Sequence, residues 1–236
     1  MMHQLSELDR LPPREPLDGG ALALRLDHTL LRPDARVLDI ELLCEEALEW
    51  NVRAVCVQPR HIRRVVNRLE SSGVRPCSVI GFPHGATYAS VRVQEALAAL
   101  ADGAEELDMV IPLGALRDRE YRVVESEIRS VVEAAQGTAL VKVILETACL
   151  DVEEIQLACR LSEAAGAAFV KTSTGYGSRG ASVADVKLMR RVVGERLGVK
   201  ASGGIRDLAT ARLMLEAGAS RLGTSSTVAI LRACSA

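Results

Sequence analysis

Ala167-Ala168-Phe169-Val170-Lys171-Thr172-Ser173-Thr174-Gly175-Tyr176-Gly177 begins as a short apolar run of strand type, carries a lysine inside that run, and ends in a loop of Thr, Ser and Gly. Removing an ammonium from water costs several kcal/mol unless something compensates. One escape for Lys171 is loss of its proton, and a neutral lysine in a cleft is a nucleophile suited to forming a Schiff base with a carbonyl. The other is a stem that crosses the strand edge and delivers its head to solvent. These residues alone leave both readings open.

Outward from this stretch, similar β-type runs recur near residues 23–26, 53–57, 77–82, 106–111, 139–145, 199–202 and 221–223. With 168–171 they make eight, separated by roughly the length of a βα unit. Several are almost continuously apolar, as strands covered on both faces should be. Between them lie helical repeats. Leu38, Leu42, Leu43, Ala47 and Trp50 share a face; Ile62, Val65, Val66 and Leu69 share another, with Arg63, Arg64 and Arg68 on its wet side. Val91, Ala98 and Leu100 belong to a third helix, and Val123, Ile128, Val131 and Val132 to a fourth. Asp151 with Glu154 spells a capping box, Ser182 with Asp185 a weaker copy, and Asp207 a further N-cap. Gly73, Gly103, Gly137, Gly166, Gly198 and Gly218 are expected to close helices ahead of strands.

Eight strands alternating with helices predict an α/β fold, a (β/α)8 TIM barrel in a single domain spanning 21–236. An open doubly wound sheet is the alternative, but no glycine-rich first turn supports it. Residues 1–20, with three prolines and no apolar core segment, read as a loosely ordered N-terminal arm and not a signal peptide.

A net charge of −2 without a basic block, and 3% aromatics, argue against nucleic acid as a partner. No apolar run approaches the roughly 18 residues that span a bilayer, so no membrane role is expected. Cys44, Cys56, Cys77, Cys149, Cys159 and Cys234 lack C-x-x-C pairing and histidine companions. That usage suggests core thiols, a reducing cytoplasmic setting and no metal site. His28 and His84 stand without partners at ligand spacing and read as cap or core residues.

In a barrel the chemistry lies at the C-terminal strand ends. Those ends carry Asp27, His28 and Thr29; Cys56; Asp108; Lys142 and Glu146; Lys171; Lys200; and Thr224-Ser225-Ser226. Lys142, Lys171 and Lys200 are spaced 29 residues apart each time. Adjacent strands lie about 4.8 Å apart, so inward-facing lysines bring their heads close together. Two ammoniums at that range repel by about 3 kcal/mol at an effective dielectric of about 20. That takes a lysine from about 10.4 toward about 8, so one lysine activates another. Asp108 is the buried-strand candidate for a proton relay, with a salt bridge to a lysine as its structural alternative. Glu146 is open between relay and structural partner. Asp27 reads as an orienting group or hydroxyl acceptor, and Thr29, Lys142 and Thr174 as further substrate contacts.

A second constellation follows the last three strands: Thr172 to Gly177, Ser202-Gly203-Gly204, and Gly223-Thr224-Ser225-Ser226. Backbone N–H groups of glycine turns, helped by hydroxyls, bind phosphate, and the last βα loops of barrels are a frequent phosphate site. Ordinary tight turns are the alternative.

Leu26-Asp27-His28-Thr29-Leu30, Val55-Cys56-Val57-Gln58-Pro59, Val79 to Gly85 and Glu106 to Ile111 together resemble the deoxyribose-phosphate aldolase family. So do Val141 to Thr147, Phe169 to Gly175, Val199 to Arg206 and Gly223 to Ser226, and the likeness runs from about residue 21 to the end. The resemblance implies a class I aldolase without cofactor or metal, which cleaves 2-deoxy-D-ribose 5-phosphate reversibly to D-glyceraldehyde 3-phosphate and acetaldehyde in deoxynucleoside catabolism. It implies that Lys171 forms the Schiff base, Lys200 is the lysine that activates it, and Asp108 relays protons. Cys56 resembles a pocket cysteine outside the chemistry. Gly175, Gly203, Gly204, Ser225 and Ser226 match the phosphate cradle, and a homo-oligomer, dimer or tetramer, is implied.

Three departures carry expectations of their own. Pro112 stands where the family commonly has Asn, and is expected to alter the loop beside Asp108. Thr227 replaces a common glycine and is expected to narrow the phosphate site. Some members end in a tyrosine that enters the active site; here the last residues are Ala233-Cys234-Ser235-Ala236, which implies slower or water-mediated protonation. Two competing readings are a lysine aldolase for another phosphorylated aldehyde and a sugar-phosphate-binding barrel without catalysis. Lys171, Lys200 and Asp108 together argue against the second, because a binding module needs only the phosphate loops.

Overall fold

The computed structural model describes residues 5–235, and Met1 to Gln4 of the expected arm lie outside the described residues. Eight parallel strands close into a barrel in chain order. They are β1 (Leu26–Leu30), β2 (Ala54–Val57), β3 (Arg75–Ile80), β4 (Glu106–Val110), β5 (Leu140–Ile144), β6 (Phe169–Lys171), β7 (Gly198–Ser202) and β8 (Arg221–Thr224), with β8 pairing back onto β1. The helices are α1 (Glu7–Arg10), α2 (Gly19–Ala23), α3 (Val37–Trp50), α4 (Ile62–Leu69), α5 (Ala89–Ala101), α6 (Leu113–Arg117), α7 (Tyr121–Ala135), α8 (Val152–Ala164), α9 (Val183–Val193), α10 (Leu208–Glu216) and α11 (Thr227–Ser235). None of those described is long and apolar enough to cross a membrane.

Strand side chains alternate between faces. The outward set, including Val55, Leu107, Val143, Val170, Val199 and Leu222, joins the helices in one continuous core. Each such side chain stabilises by about 1.5–3 kcal/mol on leaving water. The helices are seated on that core by local chemistry. Asp151 accepts from the Glu154 amide at 2.8 Å while Glu154 accepts from the Asp151 amide at 2.9 Å, completing the expected capping box of α8. Ser182 and Asp207 accept from the amides of Asp185 and Thr210 in the same manner.

Four expectations need correction. The apolar run at 23–26 is not the first strand: Asp18 caps α2 through the Ala21 amide at 2.7 Å, and β1 is the more polar Leu26–Leu30, whose inward Asp27 finds buried partners. On α3 the buried residues are Ile40, Leu43, Cys44 and Ala47, while Leu38 and Leu42 are 70% and 55% exposed. That helix carries more apolar residues than one stripe holds, so its pattern admits two phases. Val91 of α5 and Val123 of α7 are likewise exposed, one residue out of phase with buried Arg92 and Val124. Gly198 does not close a helix; Gly194 caps α9 and Gly198 opens β7.

Residues 5–20, read as a loose arm, close the N-terminal end of the barrel. Ser6 caps α1, Leu5 packs against Leu140 and Phe169, and Asp9 is buried. The Gly198 position is a consequence of this plug. A Cβ there would lie 2.1 Å from Phe169 Cε1 and 2.5 Å from the Asp9 carbonyl oxygen. Gly198→Ala is therefore expected to destabilise the fold by about 1–3 kcal/mol, read as a lower denaturant midpoint with an unchanged slope.

Candidate active site

The barrel interior is organised around the Asp108 carboxylate on β4, which is fully buried. Lys171 Nζ and Lys200 Nζ each lie 2.7 Å from Asp108 Oδ2, so the two nitrogens are at most twice that distance apart. Lys142 Nζ lies 2.6 Å from Oδ1, which also receives the Cys77 thiol at 3.3 Å. Three ammonium groups thus share one carboxylate. Lys171 and Lys200 are register partners on β6 and β7. Lys142 is not their equal: it aligns with Asp108 and Phe169, one inward position below Lys171, whose own partner on β5 is Ile144. The equal sequence spacing of the three lysines therefore does not put them at equal height.

Further acids hold the two fully buried lysines. Lys200 also binds Asp27 Oδ2, and Lys142 binds Glu106 Oε2 at 2.6 Å. Arg221 on β8 joins the next layer, donating to Asp27 Oδ1 at 2.7 Å and Glu106 Oε2 at 3.2 Å, and pairing with Asp9. Gly223 leaves room for this packing, since a Cβ there would meet Lys200 Cε at 3.0 Å. Burial pushes Asp108 upward, but Lys142, Lys171 and Lys200 outweigh it and hold the carboxyl well below its ordinary value. Burial likewise works against Lys200, and the carboxylates of Asp108 and Asp27 overcome it, raising the lysine and keeping it cationic. The same balance, led by Asp108, raises Lys142. Lys171 differs in access: Asp108 is its ion-pair partner among the described residues, and it reaches the cleft above.

That cleft, of about 360 Å³, opens at the C-terminal ends of the strands. Of the residues expected to form the site, Thr29, Lys171, Thr174, Gly175, Gly203, Gly204 and Ser225 line it. Asp108, Lys200, Asp27, Lys142 and Cys56 do not; they form a buried layer beneath. Ser226 is half-buried beside the lining, its amide donating to Thr224 Oγ1 at 2.9 Å. Cys56, Cys77 and Asp108 bring ligand-type atoms within 4.8 Å of one another, but the carboxylate already serves three ammoniums and leaves a metal cation no favourable charge.

Gly203 and Gly204 adopt φ values of 83° and 79°, turning their backbone toward the cleft, and a Cβ on Gly203 would strike Gly180 Cα at 2.9 Å. Glu146 serves as a structural partner here. Its Oε2 accepts the Thr174 amide at 3.2 Å and the Thr174 hydroxyl, and Tyr176 N donates to Thr174 Oγ1 at 3.0 Å. A buried carboxylate thus fixes the loop after β6. Thr227 does not narrow the cleft: its buried hydroxyl turns to the Thr224 carbonyl. Pro112 stands at the N-cap of α6. His28 is held by Glu46 at 2.7 Å outside the barrel interior.

The sequence reading missed Arg32, Arg206 and Tyr176 on the lining, and Asp9, Glu106, Cys77 and Arg221 below it. Arg206 had a local signal, a cation two positions after the Gly203-Gly204 pair. Asp9 and Arg221 stand 212 positions apart and had none. Arg32 is engaged by Asp34 at 3.0 Å and Asp39 at 2.5 Å. Tyr176 donates its hydroxyl to the Leu31 carbonyl at 2.9 Å and meets Phe82 edge-on, roofing part of the cleft.

The family model described as DeoC/LacD family aldolase matches residues 21–234. The chain is 50% identical to deoxyribose-phosphate aldolase 1 of Bacillus licheniformis over 215 residues, 91% of this chain and 96% of that relative. Among solved structures it is similar to a candidate deoxyribose-phosphate aldolase of Coccidioides immitis, with TM-score 0.91, 40% identity and coverage of 98% and 90% of the two chains. It is also similar to the tetrameric deoxyribose phosphate aldolase of Aeropyrum pernix, with TM-score 0.85, 38% identity and 91% of each chain covered.

Asp108→Asn would leave three buried ammoniums around a neutral amide. It is expected to lower stability by about 3–5 kcal/mol at neutral pH, as loss of one partner from a buried ion pair does. Because the folded-state value of Asp108 is depressed, its contribution is present above the unfolded carboxyl value of about 3.9 and is lost as pH falls below it. Denaturant midpoints of the two proteins should therefore converge as the pH is lowered below about 4.

Proposed function

The chain belongs to the DeoC/LacD family of aldolases, and on that premise we propose that it cleaves 2-deoxy-D-ribose 5-phosphate reversibly to D-glyceraldehyde 3-phosphate and acetaldehyde through a Schiff base on Lys171. The observation that carries this reading is the shared Asp108 oxygen: Lys171 at the cleft and Lys200 on the adjacent strand sit on the same atom. Among the described residues, Lys142, Lys171, Lys200 and Arg221, with Arg53 and Arg75 at the N-terminal rim, pair with Asp9, Asp27, Glu106 and Asp108. Of the three interior lysines, Lys171 is the one open to the cleft. Lys200, doubly paired, stays protonated.

The steps follow from these positions. The neutral Lys171 amine adds to the substrate aldehyde carbon, and loss of water gives an iminium. A base takes the proton from the hydroxyl on the third carbon, the bond between the second and third carbons breaks to release D-glyceraldehyde 3-phosphate, and the electron pair of that bond moves into the iminium to give an enamine. Protonation of the enamine carbon and hydrolysis release acetaldehyde and restore the amine. Asp108, with its bound ammonium groups, supplies the proton relay, and the fixed charges need no rearrangement as charge develops.

Phosphate binding is assigned to the amides of Gly175, Gly203 and Gly204, the Ser225 and Ser226 hydroxyls, and Arg206. Arg206 is the better cation for this, since Arg32 is occupied by Asp34 and Asp39. Asp27 orients Lys200, and Thr29 and Thr174 contact the sugar. A sugar-phosphate-binding barrel would need the glycine loops without the charged floor. A lysine aldolase for another phosphorylated aldehyde would use the same floor, and a substrate panel separates it. No cofactor enters this scheme. We further assign the protein to deoxynucleoside catabolism in the cytoplasm, a setting supported by six free cysteines. Assembly as a dimer or tetramer would cover exposed Leu38 and Leu42.

Borohydride reduction in the presence of acetaldehyde should add one ethyl group to Lys171, found by peptide mass spectrometry; no adduct, or an adduct elsewhere, removes the proposal. Lys171→Ala should give none. Lys200→Leu removes a cation beside Lys171, which then holds its proton to higher pH, so the trapping profile should move upward with a large loss of rate. Arg206→Ala should raise KM for the phosphorylated substrate by about tenfold or more, the size of a lost charge-assisted hydrogen bond, and leave acetaldehyde trapping intact.

A further inference from the structure

The N-terminal plug and the cleft lie at opposite ends of the barrel, yet one continuous series of ion pairs joins them. Asp9 of α1, 1% exposed, pairs with Arg221 of β8 and with Arg53, the residue before β2, at 2.8 Å, and accepts the Ser6 hydroxyl at 2.7 Å. Arg221 passes to Asp27 of β1 at 2.7 Å and Glu106 of β4 at 3.2 Å. The other oxygen of Asp27 holds Lys200 of β7, and Lys200 meets Lys171 of β6 on Asp108. Lys142 of β5 and Arg75 of β3 complete the set through Glu106. The plug is fixed in register: Arg25 donates to the carbonyls of Leu8 at 2.8 Å and Leu11 at 2.5 Å, and the Ser220 hydroxyl donates to the Asp9 carbonyl at 2.5 Å.

We propose that Asp9 is a positioning residue that acts through Arg221, Asp27 and Lys200, so that the segment closing one end of the barrel sets the charge at Lys171 at the other. Asp9 satisfies one side of the Arg221 guanidinium. Without that anion, Arg221 draws more heavily on Asp27 and Glu106, and Lys200 loses part of its hold. The interior also gains one net positive charge. Arg53 works in the opposite sense, because it neutralises part of Asp9. This inference rests on the aldolase reading for its consequence in catalysis, but the charge coupling itself is measurable without any aldol chemistry.

The test compares the unmodified protein with Asp9→Asn and Arg53→Met. Trace labelling with acetic anhydride as a function of pH, read at the Lys171 peptide, reports when that amine is free of its proton. Asp9→Asn should move the labelling profile to lower pH by about half a unit, and Arg53→Met should move it upward, as single charges a few ion pairs away act in a poorly screened interior. Steady-state cleavage of 2-deoxyribose 5-phosphate should show the acid limb of its pH–rate profile moved the same way as the labelling, to lower pH in Asp9→Asn and to higher pH in Arg53→Met, with KM within about twofold. A purely structural Asp9 would lower thermal stability and leave both profiles where they were, and that result, or shifts of the same sign in both variants, overturns the proposal. If Asp9→Asn does not fold, the direction of the Arg53→Met shift decides. Absence of an acetaldehyde adduct in the unmodified protein, with the two labelling shifts present, would remove the aldolase reading and leave the coupling standing.

Discussion

A single carboxylate shared by three ammonium groups is the constraint on which the interior of this barrel depends. Asp108 is fully buried, and each of its oxygens lies within 2.7 Å of a lysine nitrogen. Desolvating such a group is unfavourable on its own, and so is desolvating each lysine. The arrangement holds because the charges alternate: Asp108 between Lys171, Lys200 and Lys142, then Asp27 and Glu106, then Arg221, then Asp9. Barrel interiors of this fold are commonly filled by layers of branched apolar side chains. Here apolar clusters include Leu31, Ala54, Cys56, Cys77 and Val79 on one side and Leu140, Ala168, Phe169 and Leu5 toward the plug. The ionic layer occupies the space between, and Phe169 lies beneath it with the Arg221 guanidinium 5.4 Å from its ring centre.

Such a layer must be matched by small residues wherever long side chains cross. Gly223 opposite Lys200 and Gly198 beside Phe169 and the Asp9 carbonyl are the two positions where that demand is plain. The outward face of the same strands carries the cohesion. Its valines and leucines pack against the helices in one cluster, and that burial offsets the desolvation of the interior. Sequence alternation with period two therefore serves two purposes at once, a stabilising outer face and a reactive inner one.

The fold was legible because the βα units repeat, and because a lysine or aspartate inside an apolar run stands out against its neighbours. Lys171, Lys200 and Asp108 were visible in that way, and the structure brings them together. Height along the barrel was not visible. Lys142 has the same spacing as the other two lysines, yet parallel pairing aligns it with Phe169 and not with Lys171. The first strand was placed at 23–26 because that run is more apolar than Asp27-His28-Thr29, and only a partner elsewhere in the chain makes a buried Asp27 acceptable. Arg221, at the start of the expected run 221–223, carried no reading of its own for the same reason. Asp9 sat in a segment rich in proline and charge, whose composition suggested disorder. Three ionic or hydrogen-bonded anchors to Arg221, Arg53 and Ser220 hold it instead.

The separation of the two halves of the site has a consequence for how binding serves chemistry. The glycine loops and Arg206 lie on the lining of the cleft, whereas the proton-holding groups lie below its floor. In the proposed reaction a phosphate held at the rim would make the same contacts before and after bond cleavage. Its binding energy would go into fixing the aldehyde carbon over Lys171 and not into stabilising the altered charge. The change in charge would be met by the layer beneath, where Lys200 and Asp108 are ionised, paired and shielded from water. Because those groups are held by further pairs down to Arg221, they cannot turn toward a developing charge and need not do so. The electrostatic work is done when the protein folds, and the reacting centre meets a field that is already in place.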